Sequence, residues 1–123
     1  MSKLLIADDD PQNLYLERFL MERRGHQVND ASDGGEAVAA ACGESFDLIL
    51  MDIQMPVLDG LEATRRIKEN LAEAPPIIAL TARAMLGDRE AILAAGCDGY
   101  IEKPIDPRTF AEQVEAFLNG KAG

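Results

Sequence analysis

Residues 48–51, Leu-Ile-Leu-Met, are apolar at four consecutive positions and run directly into Asp52. A strand with one face in water alternates apolar and polar side chains, whereas a strand covered on both faces does not. The run therefore reads as an inner strand of a parallel sheet with helices on either side. Leu4-Leu5-Ile6-Ala7 and Ile77-Ile78-Ala79-Leu80 share the pattern, and His26-Gln27-Val28 and Gly99-Tyr100-Ile101 are shorter runs set between helical segments. Five strands are expected.

The intervening stretches carry helix punctuation. Asp10-Pro11 offers an N-cap followed by proline at the first helical position, and Arg23-Arg24-Gly25 offers cations and a glycine stop. Ser32 is expected to cap the second helix, whose buried side includes Val38 and Ala41, and Asp59 with Glu62 forms a capping pair ahead of Ala63 and Ile67. The fourth helix should stop at Ala95-Gly96. Asp106-Pro107 is expected to open the last helix, where Phe110, Val114, Phe117 and Leu118 form one core-facing stripe before Asn119-Gly120. Five strands alternating with five helices imply right-handed crossovers and a doubly wound α/β domain. The flavodoxin-like strand order 2-1-3-4-5 brings the ends of the first and third strands together.

In such sheets functional residues lie outside the carboxyl ends of the strands. Asp8, Asp9 and Asp10 follow the first strand, Asp52 the third, Thr81 ends the fourth, and Lys103 follows the fifth. Asp8, Asp9 and Asp52 are expected to share one pocket, where their repulsion needs compensation, most simply by magnesium, a hard divalent cation bound through oxygen. Asp10 is better placed to cap the first helix than to hold metal. Lys103 supplies the positive side of the pocket, and a hydroxyl such as that of Thr81 beside a metal and a lysine can follow a phosphate.

Composition narrows the function classes. With 123 residues, 47% hydrophobic and 28% charged, the chain suits a single domain over residues 1–123. Twenty-two acids against 12 bases give a net charge of -10, which repels nucleic-acid backbones and anionic lipid. There is no signal-peptide pattern and no apolar stretch of membrane-spanning length, and the two cysteines make no disulfide framework. A cytoplasmic location is expected. Cys42 and Cys97 are expected to be small buried thiols without a chemical role.

Four motifs carry a resemblance: "ADDD" after the first strand, "LILMDIQMPVLDG" around Asp52, "IIALTA" around Thr81 and "GYIEKPI" around Lys103. In this order and spacing they resemble the receiver domains of two-component response regulators, over essentially the whole chain. The resemblance implies that Asp52 accepts a phosphoryl group from a histidine kinase or histidine phosphotransfer protein. It further implies that Asp8, Asp9, Asp52 and the backbone carbonyl of Gln54 hold Mg2+, that Lys103 pairs with the phosphoryl oxygens, and that Thr81 moves to bond them.

It implies a cis bond at Lys103-Pro104, a turn at Pro56 and Gly60, and a switch in which Tyr100 rotates as Thr81 moves. The changed surface would be helix four, strand five and helix five, with Met85 and Leu86 either a partner anchor or a helix staple. Gln54 and Arg83 occupy positions tied to how fast the acyl phosphate decays. Only "GKAG" follows the last helix, so no output domain is expected and the signal should pass to a downstream effector protein. The Met1 start favours a stand-alone receiver over one excised from a hybrid kinase. Such a chain is an acceptor rather than an enzyme. A magnesium-dependent phosphohydrolase of the haloacid-dehalogenase kind needs a second acid two residues after the nucleophile, where this chain has Gln54. A phosphorylation-independent adaptor usually lacks an acid, the threonine or the lysine, and all are present here.

Overall fold

The computed structural model describes residues 2–55, 57–82 and 86–119. Five strands, β1 (Lys3–Ala7), β2 (Gln27–Ala31), β3 (Leu48–Asp52), β4 (Ile77–Thr81) and β5 (Gly99–Glu102), alternate with α1 (Pro11–Glu22), α2 (Gly34–Gly43), α3 (Gly60–Asn70), α4 (Leu86–Ala94) and α5 (Phe110–Leu118). All strand pairs are parallel and the sheet order is β2-β1-β3-β4-β5. This is the expected flavodoxin-like doubly wound arrangement.

Unbroken apolar runs build two cores because successive side chains leave a strand on opposite faces. Leu5, Ala7, Ile49, Met51, Ile77 and Ala79 pack on one face with Ala37, Ala63, Ile67 and Ile92 from α2, α3 and α4. Leu4, Ile6, Leu48, Leu50, Ile78 and Leu80 pack on the other with Leu20 and Met21 of α1 and Phe110 and Val114 of α5. The sheet is thus held rigidly from both sides, and its carboxyl ends become a fixed platform. No helix of the described residues is long and apolar enough to cross a membrane.

The helix boundaries mostly follow their caps, and four expectations are corrected. Asp33, not Ser32, caps α2 by accepting the Glu36 N–H at 2.8 Å, while the Glu36 carboxylate reaches back to the Ser32 N–H at 2.9 Å. Glu36 therefore needs Asp33 as its partner. The last helix begins at Phe110 rather than at Asp106-Pro107: Asp106 instead closes a turn, accepting the Arg108 N–H at 2.9 Å, and its carbonyl takes the N–H of Phe110. Finally, Cys97 is buried but Cys42 is exposed, one position round α2 from the inward-facing Ala41. The second strand is Gln27–Ala31 rather than His26-Gln27-Val28: the His26 N–H bonds back to the Met21 carbonyl at the end of α1, at 3.3 Å, and pairing begins with the Gln27 N–H to the Ser2 carbonyl at 2.9 Å. The remaining caps are as expected: Asp10 on Gln12, Asp59 on Glu62, and Gly96 at φ 107 ending α4. Pro56, Arg83, Met85 and the side chain of Leu86 lie outside the described residues.

Candidate functional site

The site grows out of the strand order. Ala7 lies opposite Met51 in register, so Asp8, just past β1, stands beside Asp52 at the end of β3. Asp52 pairs with Leu80 and Thr81 with Glu102, which places Lys103 at the same rim. Backbone turns then aim the acids: Asp8 Oδ1 accepts the Asp10 N–H at 3.0 Å and Asp52 Oδ1 accepts the Gln54 N–H at 3.1 Å. Their other oxygens meet the Lys103 ammonium, at 3.1 Å from Asp8 and 3.2 Å from Asp52. The Lys103-Pro104 bond is cis.

Carboxylate oxygens of Asp8, Asp9 and Asp52 all lie within 4.8 Å of one another. Asp8 and Asp52 are buried and Asp9 is exposed, so the cluster has an inner wall and an open lip. A cavity of about 330 Å³ opens above it, lined by Asp9, Asn13, Asp52, Gln54, Ala82 and Lys103. Asp10 also lines the cavity, but its carboxylate is engaged in capping, accepting the Gln12 N–H at 2.9 Å and the Asn13 amide N–H at 3.2 Å. The first turn of α3 closes on Asp52 from behind: a Cβ built on Gly60 would lie 2.2 Å from the Asp52 carbonyl oxygen. Only glycine permits that approach. Val57, in the same connection, holds φ at 67°, a left-handed conformation costly for a β-branched residue.

Burial makes these charges matter. It pushes the Asp52 carboxyl up to about 6, against the Gln54 N–H and the Lys103 charge that pull it down. Burial alone would depress the Lys103 ammonium, but the hydrogen bond and charge of Asp8, then those of Asp52, outweigh it, and the lysine stays charged with its pKa raised. Among the described residues three carboxylates stand beside one ammonium in the pocket, and an all-oxygen donor set of this kind suits a hard divalent cation.

The residue that sequence reasoning missed is Glu17 of α1. It is fully buried, and neither carboxyl oxygen meets a donor among the described residues. Its neighbour is another acceptor, Asp8. Burial first, and Asp8 second, push its pKa up to about 9, so near neutral pH it keeps a proton that it can donate to Asp8. A signal existed in the sequence, since Glu17 falls three and four positions before the buried Leu20 and Met21, on the inward stripe of its helix.

Two expected site residues sit outside the cavity. Thr81 is buried at the end of β4, on the strand face that carries Ile77 and Ala79, and its carbonyl accepts the Lys103 N–H at 2.7 Å. Tyr100 of β5 lies opposite Ala79 on that same face and lines a separate groove of about 630 Å³ between α4 and α5. Thr81 and Tyr100 are therefore diagonal neighbours across two strands rather than members of one pocket.

Comparison with known proteins gives this constellation its context. The chain is 43% identical over 91% of its length to the sensor protein GacS of Pseudomonas syringae, of which it spans 13%. It is 38% identical to PilH of Pseudomonas aeruginosa, covering 98% of this chain and 100% of that one. Among solved structures it superposes with a TM-score of 0.85 on the receiver domain of the sensor histidine kinase PA1611 from Pseudomonas aeruginosa, at 38% identity over 96% of this chain and 98% of that one. That structure carries a magnesium ion in its active-site cleft. The model of the response regulator receiver domain matches residues 4–115, and the chain belongs to that family.

Proposed function

We propose that Asp52 accepts a phosphoryl group from a phosphohistidine on a histidine kinase or histidine phosphotransfer protein. The observation that carries this reading is the cluster of Asp8, Asp9 and Asp52 oxygens within 4.8 Å, with the Lys103 ammonium paired to Asp8 and Asp52. An Asp52 oxygen attacks phosphorus, the P–N bond to the imidazole breaks, and the imidazole leaves as an acyl phosphate forms. A carboxylate is a competent nucleophile here once the charge on the transferring group is offset. Lys103 sits where it can pair with the equatorial oxygens, and the turn that gives the Gln54 N–H to Oδ1 holds the carboxylate in place. Magnesium would be held by Asp8, Asp9 and Asp52 with the Gln54 carbonyl, and it would neutralise phosphoryl charge. The chain then acts as an acceptor and not as a turnover enzyme.

The signal leaves through the α4-β5-α5 side. As Thr81 turns toward the phosphoryl group, the space beneath α4 opens to Tyr100, its diagonal neighbour on the same face. The altered surface is read by an effector protein in the cytoplasm, not by nucleic acid, given the charge of -10.

Intact mass after incubation with acetyl phosphate and Mg2+ tests the reading. One added phosphoryl group per chain is expected, absent without Mg2+ and absent in Asp52→Asn. An unchanged mass gain in Asp52→Asn removes Asp52 from the role, and sustained hydrolysis of phosphate monoesters over many turnovers makes the chain a phosphohydrolase instead.

A further inference from the structure

The guanidinium of Arg89, on the exposed side of α4, lies over the Tyr100 ring at 5.6 Å from its centroid. A cation over the ring face is attracted by the aromatic quadrupole, and the attraction holds only while the ring presents that face to it. Tyr100 in this position lines the open groove between α4 and α5. Its inner edge touches the core cluster built on Ile77, Ala79 and Ile92. The ring thus has two kinds of neighbour on one strand face: apolar side chains toward the sheet and a cation toward the surface.

From this geometry we infer that Arg89 is a latch that holds Tyr100 at the groove and biases the resting domain against the switched surface. The inference rests on the reading of Asp52 and Tyr100 above and adds to it a positioning residue that acts through Tyr100. Rotation of Tyr100 toward Thr81 takes the ring out from under the guanidinium, so the contact is lost in one state only. A contact made in one state only shifts the balance between the two by its own free energy, which for an exposed cation–π pair corresponds to about two- to fivefold in population. Acting through Tyr100, Arg89 would tune the response, while the chemistry stays with the Asp8, Asp52 and Lys103 group.

The chain has two tyrosines and no tryptophan, so in a Tyr15→Phe background Tyr100 is the one tyrosine to observe. Tyr15 is 72% exposed, which makes that background change mild. Ring-13C tyrosine spectra are recorded with and without acetyl phosphate and Mg2+, with intact mass giving the occupancy of Asp52. Four proteins are compared: the parent, Arg89→Ala, Arg89→Met, which keeps an apolar stem, and Arg89→Lys, which keeps the charge.

The unphosphorylated Arg89→Ala and Arg89→Met proteins should show Tyr100 displaced toward the position it takes in the phosphorylated parent, by a two- to fivefold change in the population ratio. Arg89→Lys should stay near the parent. Coincidence of Tyr100 signals between Arg89→Ala and the parent in both states overturns the latch, as does a Tyr100 ring that phosphorylation leaves unmoved. A parent that gains no phosphoryl mass sinks the reading of Asp52 itself, and the latch with it.

Discussion

The two ends of the sheet treat charge in opposite ways. At the amino ends of the strands acids and bases are matched: Lys3 with Glu44, Lys68 with Asp98, and Arg24 and His26 with Glu115, and apart from the His26 ring these side chains are partly open to water. At the carboxyl ends Asp8, Asp9, Asp52 and Glu17 gather around Lys103, and three of the four are buried. The first arrangement solvates and trims the surface. The second is held together by turns, a shared lysine and a retained proton, and the gathered negative charge is what the proposed binding of Mg2+ and a phosphoryl group would draw on. The strained Val57 lies at this end as well.

The sharpest way to break the contrast is to remove the Lys103 ammonium. Lys103→Met should lower the rate of phosphoryl uptake from acetyl phosphate about a hundredfold, the usual cost of losing a preorganised group aimed at developing charge. Magnesium affinity should not fall, because the lysine competes with a cation for the Asp8 and Asp52 oxygens. Calorimetric titration with Mg2+ beside a phosphorylation time course reads both quantities. Loss of Mg2+ binding together with phosphorylation would mean that Lys103 holds the pocket's shape rather than its charge.

Glu17 sharpens the contrast by a smaller amount. Its folded pKa, about 9, lies above the unfolded value of 4.5, so the folded state keeps a proton that the unfolded chain has released. Stability from this group is full below pH 4.5 and is lost as pH rises toward 9, with a slope of at most about 1.4 kcal/mol per pH unit. Asp52 acts in the same direction, but only between 3.8 and about 6. The carboxylates lowered by partners, Glu44, Glu115 and Asp106, act below the usual carboxylate range. Urea unfolding from pH 6.5 to 8.5 should therefore show falling stability in the wild type and a flatter profile in Glu17→Gln, which keeps a donor and cannot ionise. Parallel profiles would remove Glu17 as the source.

How much of this was legible in the sequence depends on how local the deciding contact is. The double-sided strands announce themselves, since Leu48 to Met51 cannot face water, and order 2-1-3-4-5 follows from the need to join Asp8 to Asp52. Asp52, Asp8, Asp9 and Lys103 could be read because each sits at a strand end, where topology fixes the side of the sheet. The failures turn on choices between near neighbours or on distant partners. Ser32 and Asp33 are both good caps, and Glu36 decides between them. Asp106-Pro107 has the same local grammar as Asp10-Pro11 but closes a turn instead. Cys42 and Ala41 differ by one step round α2. The helical spacing to Leu20 and Met21 placed Glu17 on the inward face of α1, but that it lies against Asp8 depends on how α1 packs on the sheet, which the spacing does not supply.

The mildest test lies at the opposite end. Lys68 Nζ is 2.9 Å from an Asp98 oxygen that also accepts the Ile77 N–H at 2.9 Å. The lysine side chain is 29% exposed and that of Asp98 47%, so water screens the pair and shares its hydrogen bonds. Removing the lysine leaves Asp98 with its backbone donor and with solvent, and no charge is stranded. Lys68→Met should cost no more than about 1 kcal/mol and lower Tm by no more than about 5 °C, with phosphoryl uptake unchanged. The same kind of substitution, ammonium to thioether, is expected to be nearly silent here and to cost a hundredfold in rate at Lys103. If Lys68→Met destabilised the fold as strongly as an unpaired buried charge does, the amino ends would have to be counted as a second buried ionic site, and burial of charge would no longer set the Asp52 cluster apart.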